Sequence, residues 1–125
     1  MTLDCGDTFL IEDEDGYDSH LWIVLTPPSE GEVVIVSVTT HRKKSENLVR
    51  LKKGDHPFIA HDSVIAYSHS KVVTVESIES AMKNGVAKHR ERVSDELLQR
   101  ARAGLLESDF TPNAVRHLYN IFMGT

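Results

Sequence analysis

The chain has 125 residues, of which 40% are hydrophobic and 26% are charged, and its formal charge is −5. This composition predicts one globular domain and excludes a protein that is disordered or basic throughout. Any contact with nucleic acid must come from a local basic patch, because affinity for phosphate depends on the cations that face it.

Cysteine content and hydropathy narrow the class further. Cys5 is the single cysteine, so an internal disulfide and a multi-cysteine zinc site are both excluded. The sequence shows no basic-then-apolar signal segment and no apolar run long enough to span a bilayer. We therefore expect a cytoplasmic protein with no membrane partner.

The first part of the chain, to about residue 76, predicts short strands rich in Val, Ile and aromatic residues. Turn signals separate the strands at Asp15-Gly16, at residues 27–31 and at Gly54-Asp55. The second and third strands are almost continuously apolar, so we expect them to be central, buried on both faces and joined as an antiparallel hairpin. The predicted strands cover residues 9–11, 21–26, 32–40, 48–51, 63–67 and 71–75.

From residue 77 the pattern becomes helical. Gly85 is a stop signal for a first helix. Ser94 precedes two carboxylates and predicts the start of a second helix. Thr111 and Pro112 predict the start of a third, with Pro112 in the first helical position.

Together these patterns predict a single domain over residues 1–125, with a β-barrel core at 6–76 and a C-terminal helical part at 77–125. The fold class is mainly β with C-terminal helices. Six short strands favour an SH3-like barrel, and a sandwich is the alternative.

A basic cluster follows the third strand, whereas acidic residues collect between positions 12 and 18. Such a basic loop is suited to track a phosphate backbone. The alternative is a solvated loop that only keeps the protein soluble. The cluster consists of Arg42, Lys43, Lys44, Arg50, Lys52 and Lys53.

Histidine is frequent, with seven in the chain, and five lie near predicted strand ends. Two imidazoles that titrate near neutral pH supply the base and the acid that metal-independent RNA cleavage needs, and Arg or Lys stabilises the phosphorane. Each histidine taken alone is more often an ordinary surface or turn residue. Neither a helical HxxxH pair nor an HEXXH motif is present, so we predict no metal site and no cofactor. The five are His20, His41, His56, His61 and His69.

The segment GDHPFIAHDSV at residues 54–64 contains two of these histidines. Pro57 holds His56 extended and so fixes its direction. Asp62 is a candidate to orient an imidazole. The alternative is a rigid loop that closes the barrel, with Phe58 and Ile59 plugging the core.

Four stretches form an ordered pattern along most of the chain. They read GDTFLI at 6–11, HLWIVLT at 20–26, VVIVSVTTH at 33–41 and VSDELLQRARAGL at 93–105. In this order and spacing the chain resembles the PemK/MazF-like family of plasmid-maintenance toxins.

The resemblance implies an SH3-like barrel, usually a homodimer. Members of the family are typically endoribonucleases that cut single-stranded RNA at short sequences. They are neutralised by a cognate antitoxin peptide that fills the RNA groove. Some relatives of the fold instead poison DNA gyrase.

The resemblance also assigns site residues, with one departure. The family's catalytic arginine matches His20 here, and Leu21 stands where the family has proline. The family's catalytic threonine matches Thr40 or Thr39. An imidazole is not a permanent bidentate phosphate clamp, so either a neighbouring cation has taken that role or activity is lost.

Three functions remain open on the sequence. The first is a toxin-type endoribonuclease in which His20 and His41 share acid–base work, Thr40 holds phosphate, and Arg42 with Lys43 stabilises charge. In it, Thr39 and the basic cluster contact RNA, while His56 and His61 are possible substitutes. The second is an inactive SH3-like module that binds nucleic acid or a partner protein. The third is a toxin directed at gyrase.

Overall fold

The computed structural model describes residues 3–12, 19–43 and 45–124, and shows a curled six-stranded antiparallel sheet with three helices. The order of strands across the sheet is β4-β5-β3-β2-β1-β6. The mainly β fold class with C-terminal helices is therefore confirmed. In chain order the elements are β1 Thr8–Glu12, β2 Ser19–Val24, β3 Glu32–Thr40, β4 Arg50–Leu51, β5 Ser63–Thr74, α1 Val75–Lys83, β6 Ala87–Arg90, α2 Asp95–Glu107 and α3 Asn113–Phe122.

Strands β2 and β3 are interior strands of the sheet and bury residues on both faces, as their continuous apolar runs predict. Leu21 and Val34 belong to the larger core, which α2 and α3 cover. Val24 and Val33 belong to a second core beside α1. Because successive side chains of a strand point to opposite faces, one apolar run serves two cores.

The two strands predicted at 63–67 and 71–75 are one strand, β5. The prediction was wrong because the polar Ser68, His69 and Ser70 interrupt the apolar pattern. These residues lie where the pairing register with β3 shifts, between Ile35 and Ser37. The bulge absorbs the extra residues without ending the strand.

The sequence predicts only helices after residue 77, and this is wrong, because strand β6 lies between α1 and α2. β6 pairs antiparallel with β1, from Thr8↔Arg90 to Ile11↔Ala87. Only Ala87 of β6 is buried, so the strand lacks the alternating apolar pattern that marks most strands. The second half of the chain therefore completes the sheet as well as covering it.

The predicted helix boundaries hold with two shifts, and the first is that α1 begins at Val75, where the sequence predicts the last residue of a strand. Lys83 ends α1, and Gly85 adopts φ 77 just beyond it. The Ser94 hydroxyl accepts a hydrogen bond from the Leu97 amide and caps α2. Pro112 is the N-cap of α3 rather than its first residue. The Thr111 hydroxyl donates to the Leu105 carbonyl and so does not cap the helix.

Helix α2 packs closely against β5. The Tyr67 hydroxyl donates to the Ala101 carbonyl at 2.8 Å, and Gly104 leaves room for the Tyr67 ring. Arg102 donates through Nε to the Leu25 carbonyl at 2.7 Å, just after β2. These contacts hold α2 on the sheet. The start of β2 and the end of β3 line a cleft instead.

Several predicted features fall outside the described residues. They are the Asp15-Gly16 turn, most of the acidic stretch and Lys44. Within the described ranges, no helix is long and apolar enough to cross a membrane.

Candidate nucleic-acid interface

A cleft of about 500 Å³ opens where β2 begins, β3 ends and the 54–64 segment returns to the sheet. Its size lies within the range of small-molecule sites. The wall is mixed, with hydroxyls, two imidazoles and a guanidinium beside apolar groups. Its lining residues are Ser19, His20, Val38, Thr39, Thr40, Arg42, Phe58, Ile59, Ala60, His61 and Ser63.

Strand pairing builds this cleft. Leu21 lies opposite Val38, so the start of β2 and the end of β3 lie at one end of the sheet. Thr40 lies opposite Ser63, which brings the start of β5 to the same place. Burial stops at Val38, because the residues that follow it are polar. The polar strand ends therefore converge, although they are far apart in sequence.

The central contact of the cleft joins Thr40 Oγ1 to His61 Nε2 at 3.0 Å. His61 is exposed and Thr40 is half-buried, so solvent and ligands reach both groups. With a proton on Nε2, His61 donates to Thr40 and leaves the Thr40 hydroxyl proton for another acceptor. With Nε2 unprotonated, the hydroxyl donates to the ring instead.

Arg42 supplies a permanent positive charge to the cleft. A tight turn holds its backbone: the Arg42 amide donates to Ser45 Oγ at 2.9 Å, and the Ser45 amide donates to the Arg42 carbonyl at 3.0 Å. Lys43 is exposed and does not line the cleft.

The structure does not bring His41 into the cleft lining. The His41 backbone amide donates to the Asp62 carbonyl at 3.0 Å, which ties the end of β3 to the 54–64 segment. The segment therefore places His61, and not His41, against Thr40. His69 also lies outside the cleft, exposed on β5.

The rest of the basic cluster divides between other surfaces. Arg50 and Lys52 line a separate depression of about 440 Å³, whose wall also contains Asp55, Asp62 and Glu96. The Arg50 guanidinium lies 3.7 Å from the Asp62 carboxylate. Acidic neighbours offset these cations, so this depression is not a plain phosphate track. Lys53 is exposed and lines neither cavity.

His56 is a buried structural residue, 2% exposed. Its Nδ1 accepts a hydrogen bond from the Phe58 amide at 3.0 Å, and its Nε2 lies 2.6 Å from the Glu91 carbonyl. This arrangement requires the proton on Nε2, which donates to Glu91. Asp62 contacts Arg50 and does not orient an imidazole in any contact of the described residues.

Phe58 is the lining residue whose place differs most from expectation. Ile59 enters the core at 5% exposure, as predicted, but Phe58 remains 38% exposed in the cleft wall. Residue type alone does not separate these neighbours, since both are large and apolar. The path of the turn determines that Ile59 is buried and Phe58 is exposed.

Two buried tyrosines outside the cleft have raised pKa values. Burial, reinforced by the Glu46 carboxylate, raises the pKa of Tyr67 far above its usual value. Burial also raises the pKa of Tyr119. Across the described ranges, no group of three or more His, Cys, Asp or Glu side chains is arranged to hold a metal ion.

Comparison with known proteins identifies the fold. No protein-family model matches the chain, and no curated protein matches it in sequence. Among solved structures, it is similar to two crystal forms of MazE-MazF from Deinococcus radiodurans. Form II has 16% identity and a TM-score of 0.57, with 86% of this chain and 94% of that chain covered. Form III has 14% identity and a TM-score of 0.56, with 86% and 95% covered.

A crystal form of MazF from the same organism is also similar, with 13% identity and a TM-score of 0.56 over 86% of this chain and 96% of that chain. The fold of this chain is therefore of the PemK/MazF type. That agrees with the sequence resemblance along most of the chain.

Proposed function

We propose that this protein is the toxin of a type II toxin–antitoxin system, a cytoplasmic endoribonuclease that cuts single-stranded RNA without a metal ion. The observation that carries the proposal is the Thr40–His61 contact in a cleft that also contains His20 and Arg42. The MazF-type fold supports the same function.

The chemistry needs three kinds of group. A base removes the proton of the ribose 2′-OH, whose oxygen then attacks phosphorus. An acid protonates the departing 5′-oxygen. The products are a 2′,3′-cyclic phosphate and a free 5′-hydroxyl, and a cation or hydrogen-bond donor stabilises the charge of the phosphorane.

Side chains suited to each of these roles line the cleft. We assign the acid–base pair to His20 and His61, because both imidazoles line the cleft. The Thr40 hydroxyl binds a phosphate oxygen when His61 donates to it. Arg42 takes the charge-stabilising role that the resembled family gives to the arginine replaced here by His20.

The partners follow from the same proposal. A cognate antitoxin peptide blocks the cleft, and the active form is a homodimer. Two of the similar structures are of MazE-MazF, and they favour a protein partner for this chain as well. Co-expression with an adjacent small acidic open reading frame tests the partner, since growth arrest without it and rescue with it are expected.

The decisive experiment incubates purified, antitoxin-free protein with single-stranded RNA in EDTA between about pH 5 and 8, the range in which imidazoles change charge. Cleavage with a 2′,3′-cyclic phosphate end is expected. A DNA strand of the same sequence must remain intact, because it lacks the 2′-OH. His20→Ala, checked for folding by circular dichroism, should lose cleavage.

A non-catalytic nucleic-acid-binding module is the second candidate, because His20 stands where the resembled family has its arginine. It predicts RNA that remains intact at every pH tested, with binding that weakens steeply as salt is added. Binding by His20→Ala at wild-type strength, without cleavage by either protein, would establish the module and overturn the enzyme.

A further inference from the structure

The 54–64 segment presents an aromatic ring to the cleft beside the proposed phosphate-binding group. Phe58 is 38% exposed and lines the same cleft as Thr40 and His61. Its neighbour Ile59 is buried in the larger core. The segment is therefore anchored on one side while the ring of Phe58 faces the ligand space.

Hydrogen bonds from His56 hold this turn in place. The Phe58 amide donates to His56 Nδ1 at 3.0 Å, and the Ile59 amide donates to the His56 carbonyl at 2.9 Å. His56 is itself fixed to the Glu91 carbonyl, beyond β6. Two consecutive amides of the turn are thus bonded to one buried residue.

An aromatic side chain whose backbone is held in this way loses little conformational entropy when it binds a ligand. A flexible side chain loses rotamer freedom when a ligand immobilises it, whereas an anchored aromatic residue with two side-chain torsions loses less. Aromatic side chains stack on nucleobases without regard to sequence, because every base has a π-face. In a duplex both faces of a base are stacked on its neighbours, so the ring selects an unpaired base.

We infer that Phe58 stacks on an unpaired base of single-stranded RNA, next to the phosphate held by Thr40, and that His56 is the positioning residue for Phe58. This inference rests on the proposed function and extends it to how the substrate is chosen. It also gives buried His56 a part in RNA binding without contact between its imidazole and the substrate.

The test measures binding of a dye-labelled, 2′-O-methyl single-stranded oligonucleotide by fluorescence anisotropy. The methyl group removes the nucleophile, so binding is separated from cleavage. Phe58→Ala and Phe58→Leu should each weaken binding about 5- to 100-fold, while Phe58→Trp should bind as well as wild type or better.

Phe110→Ala is the matched control. Phe110 is 60% exposed, but it lies in the loop between α2 and α3 and outside the cleft. Its removal should leave binding unchanged. Equal losses in the Phe110 and Phe58 variants would mean that general surface apolarity, and not stacking in the cleft, drives binding, which overturns the inference.

A double-mutant cycle between His56 and Phe58 tests the role of His56. If His56 acts through Phe58, then adding Phe58→Ala to His56→Ala weakens binding by less than it does in the wild type. A residue with a general stabilising role gives independent, multiplicative losses, which would overturn the positioning role. If His56→Ala does not fold, the Phe58 series alone decides the stacking, and His56→Asn, which keeps an acceptor for the Phe58 amide, takes its place in the cycle.

The outcomes distinguish a failure of the proposed function from a failure of the stacking inference. Wild-type protein that binds no single-stranded oligonucleotide overturns both the proposed function and the stacking. Wild-type protein that cleaves RNA, together with Phe58→Leu that binds as wild type does, overturns the stacking alone. Weaker binding of Phe58→Leu, with no change for a perfectly paired duplex, supports the stacking.

Discussion

The cleft and the core beneath α2 each contain a side-chain hydroxyl in a hydrogen bond of ordinary length, and the two contacts have different roles. In the core, the Tyr67 hydroxyl donates to the Ala101 carbonyl at 2.8 Å. In the cleft, Thr40 contacts His61 at 3.0 Å. The distances are similar, but Tyr67 is fully buried and His61 is exposed.

The difference lies in the partner and in the access of solvent. Tyr67 bonds to a backbone carbonyl of a packed helix, so its contact holds the helix on the sheet. Thr40 and His61 are both side chains at the surface, so a ligand can replace or extend their contact. The core contact should govern stability, and the cleft contact should govern activity.

His61→Ala tests the cleft side of the comparison and has the largest expected effect. Loss of one acid–base group should lower the rate of RNA cleavage by roughly 10²- to 10⁴-fold. The free energy of unfolding should change little, because His61 is exposed. Cleavage is followed on gels and unfolding by urea titration with circular dichroism. His117→Ala, on the exposed side of α3, is the control, and equal cleavage losses in both variants would remove His61 from the mechanism.

Arg42→Ala tests the charge of the cleft. Removing one group that stabilises the transition state should lower the rate by about 10²- to 10³-fold. Arg90→Ala removes the same charge from β6 and should leave the rate unchanged. Lys43→Ala should have a smaller effect than Arg42→Ala, because Lys43 does not line the cleft. A larger loss in Lys43→Ala would show that the neighbouring lysine, and not Arg42, holds the phosphate.

Gly104→Ala tests the core side of the comparison. The added methyl group would collide with the Tyr67 hydroxyl and would lie 2.7 Å from Val49 Cγ2. Alanine favours helix, but overpacking a core costs about 1–3 kcal/mol and should prevail. The free energy of unfolding should therefore fall in urea titrations. Ala103→Ser, one residue earlier and exposed, should change it by less than about 0.5 kcal/mol. Stabilisation by Gly104→Ala would contradict the close approach of α2 to β5.

Tyr67→Phe has the smallest expected effect, a loss of about 1 kcal/mol from the missing hydrogen bond to Ala101. The effect also depends on pH. Burial raises the pKa of Tyr67, so below about pH 10 the tyrosine is neutral in both the folded and the unfolded chain. At higher pH only the unfolded chain ionises readily, and wild-type stability falls. The variant lacks this loss, so the gap between the two proteins should narrow above about pH 10. A constant gap in urea titrations at neutral and alkaline pH would contradict the buried tyrosine.

The sequence predicts the centre of the sheet better than its edges. Strands β2 and β3 follow from long apolar runs separated by a turn signal, and burial on both faces follows from their continuity. β6 escapes sequence analysis because Lys88, His89 and Arg90 are exposed and only its pairing with β1 makes it a strand. The sequence predicts two strands in place of β5 because the polar residues of the bulge interrupt its apolar pattern.

The candidate site divides in the same way. Thr40 and His20 follow from the sequence, because each stands at the end of an apolar strand that the resemblance also identifies. The path by which the 54–64 segment returns to the sheet determines two other features. It places His61, and not His41, against Thr40, and it places Asp62 beside Arg50 outside the cleft. That path is set by the burial of His56 and Ile59, and spacing alone does not reveal it.

Trp22 gives the protein a built-in optical reporter. It is the chain's only tryptophan; it packs against the second core, and Lys71 Nζ lies 4.8 Å from the centroid of its ring. It does not line the cleft. Its emission should therefore follow the packing of β2 against the α1 side of the sheet, so one sample can report unfolding through Trp22 and RNA binding through a dye on the oligonucleotide.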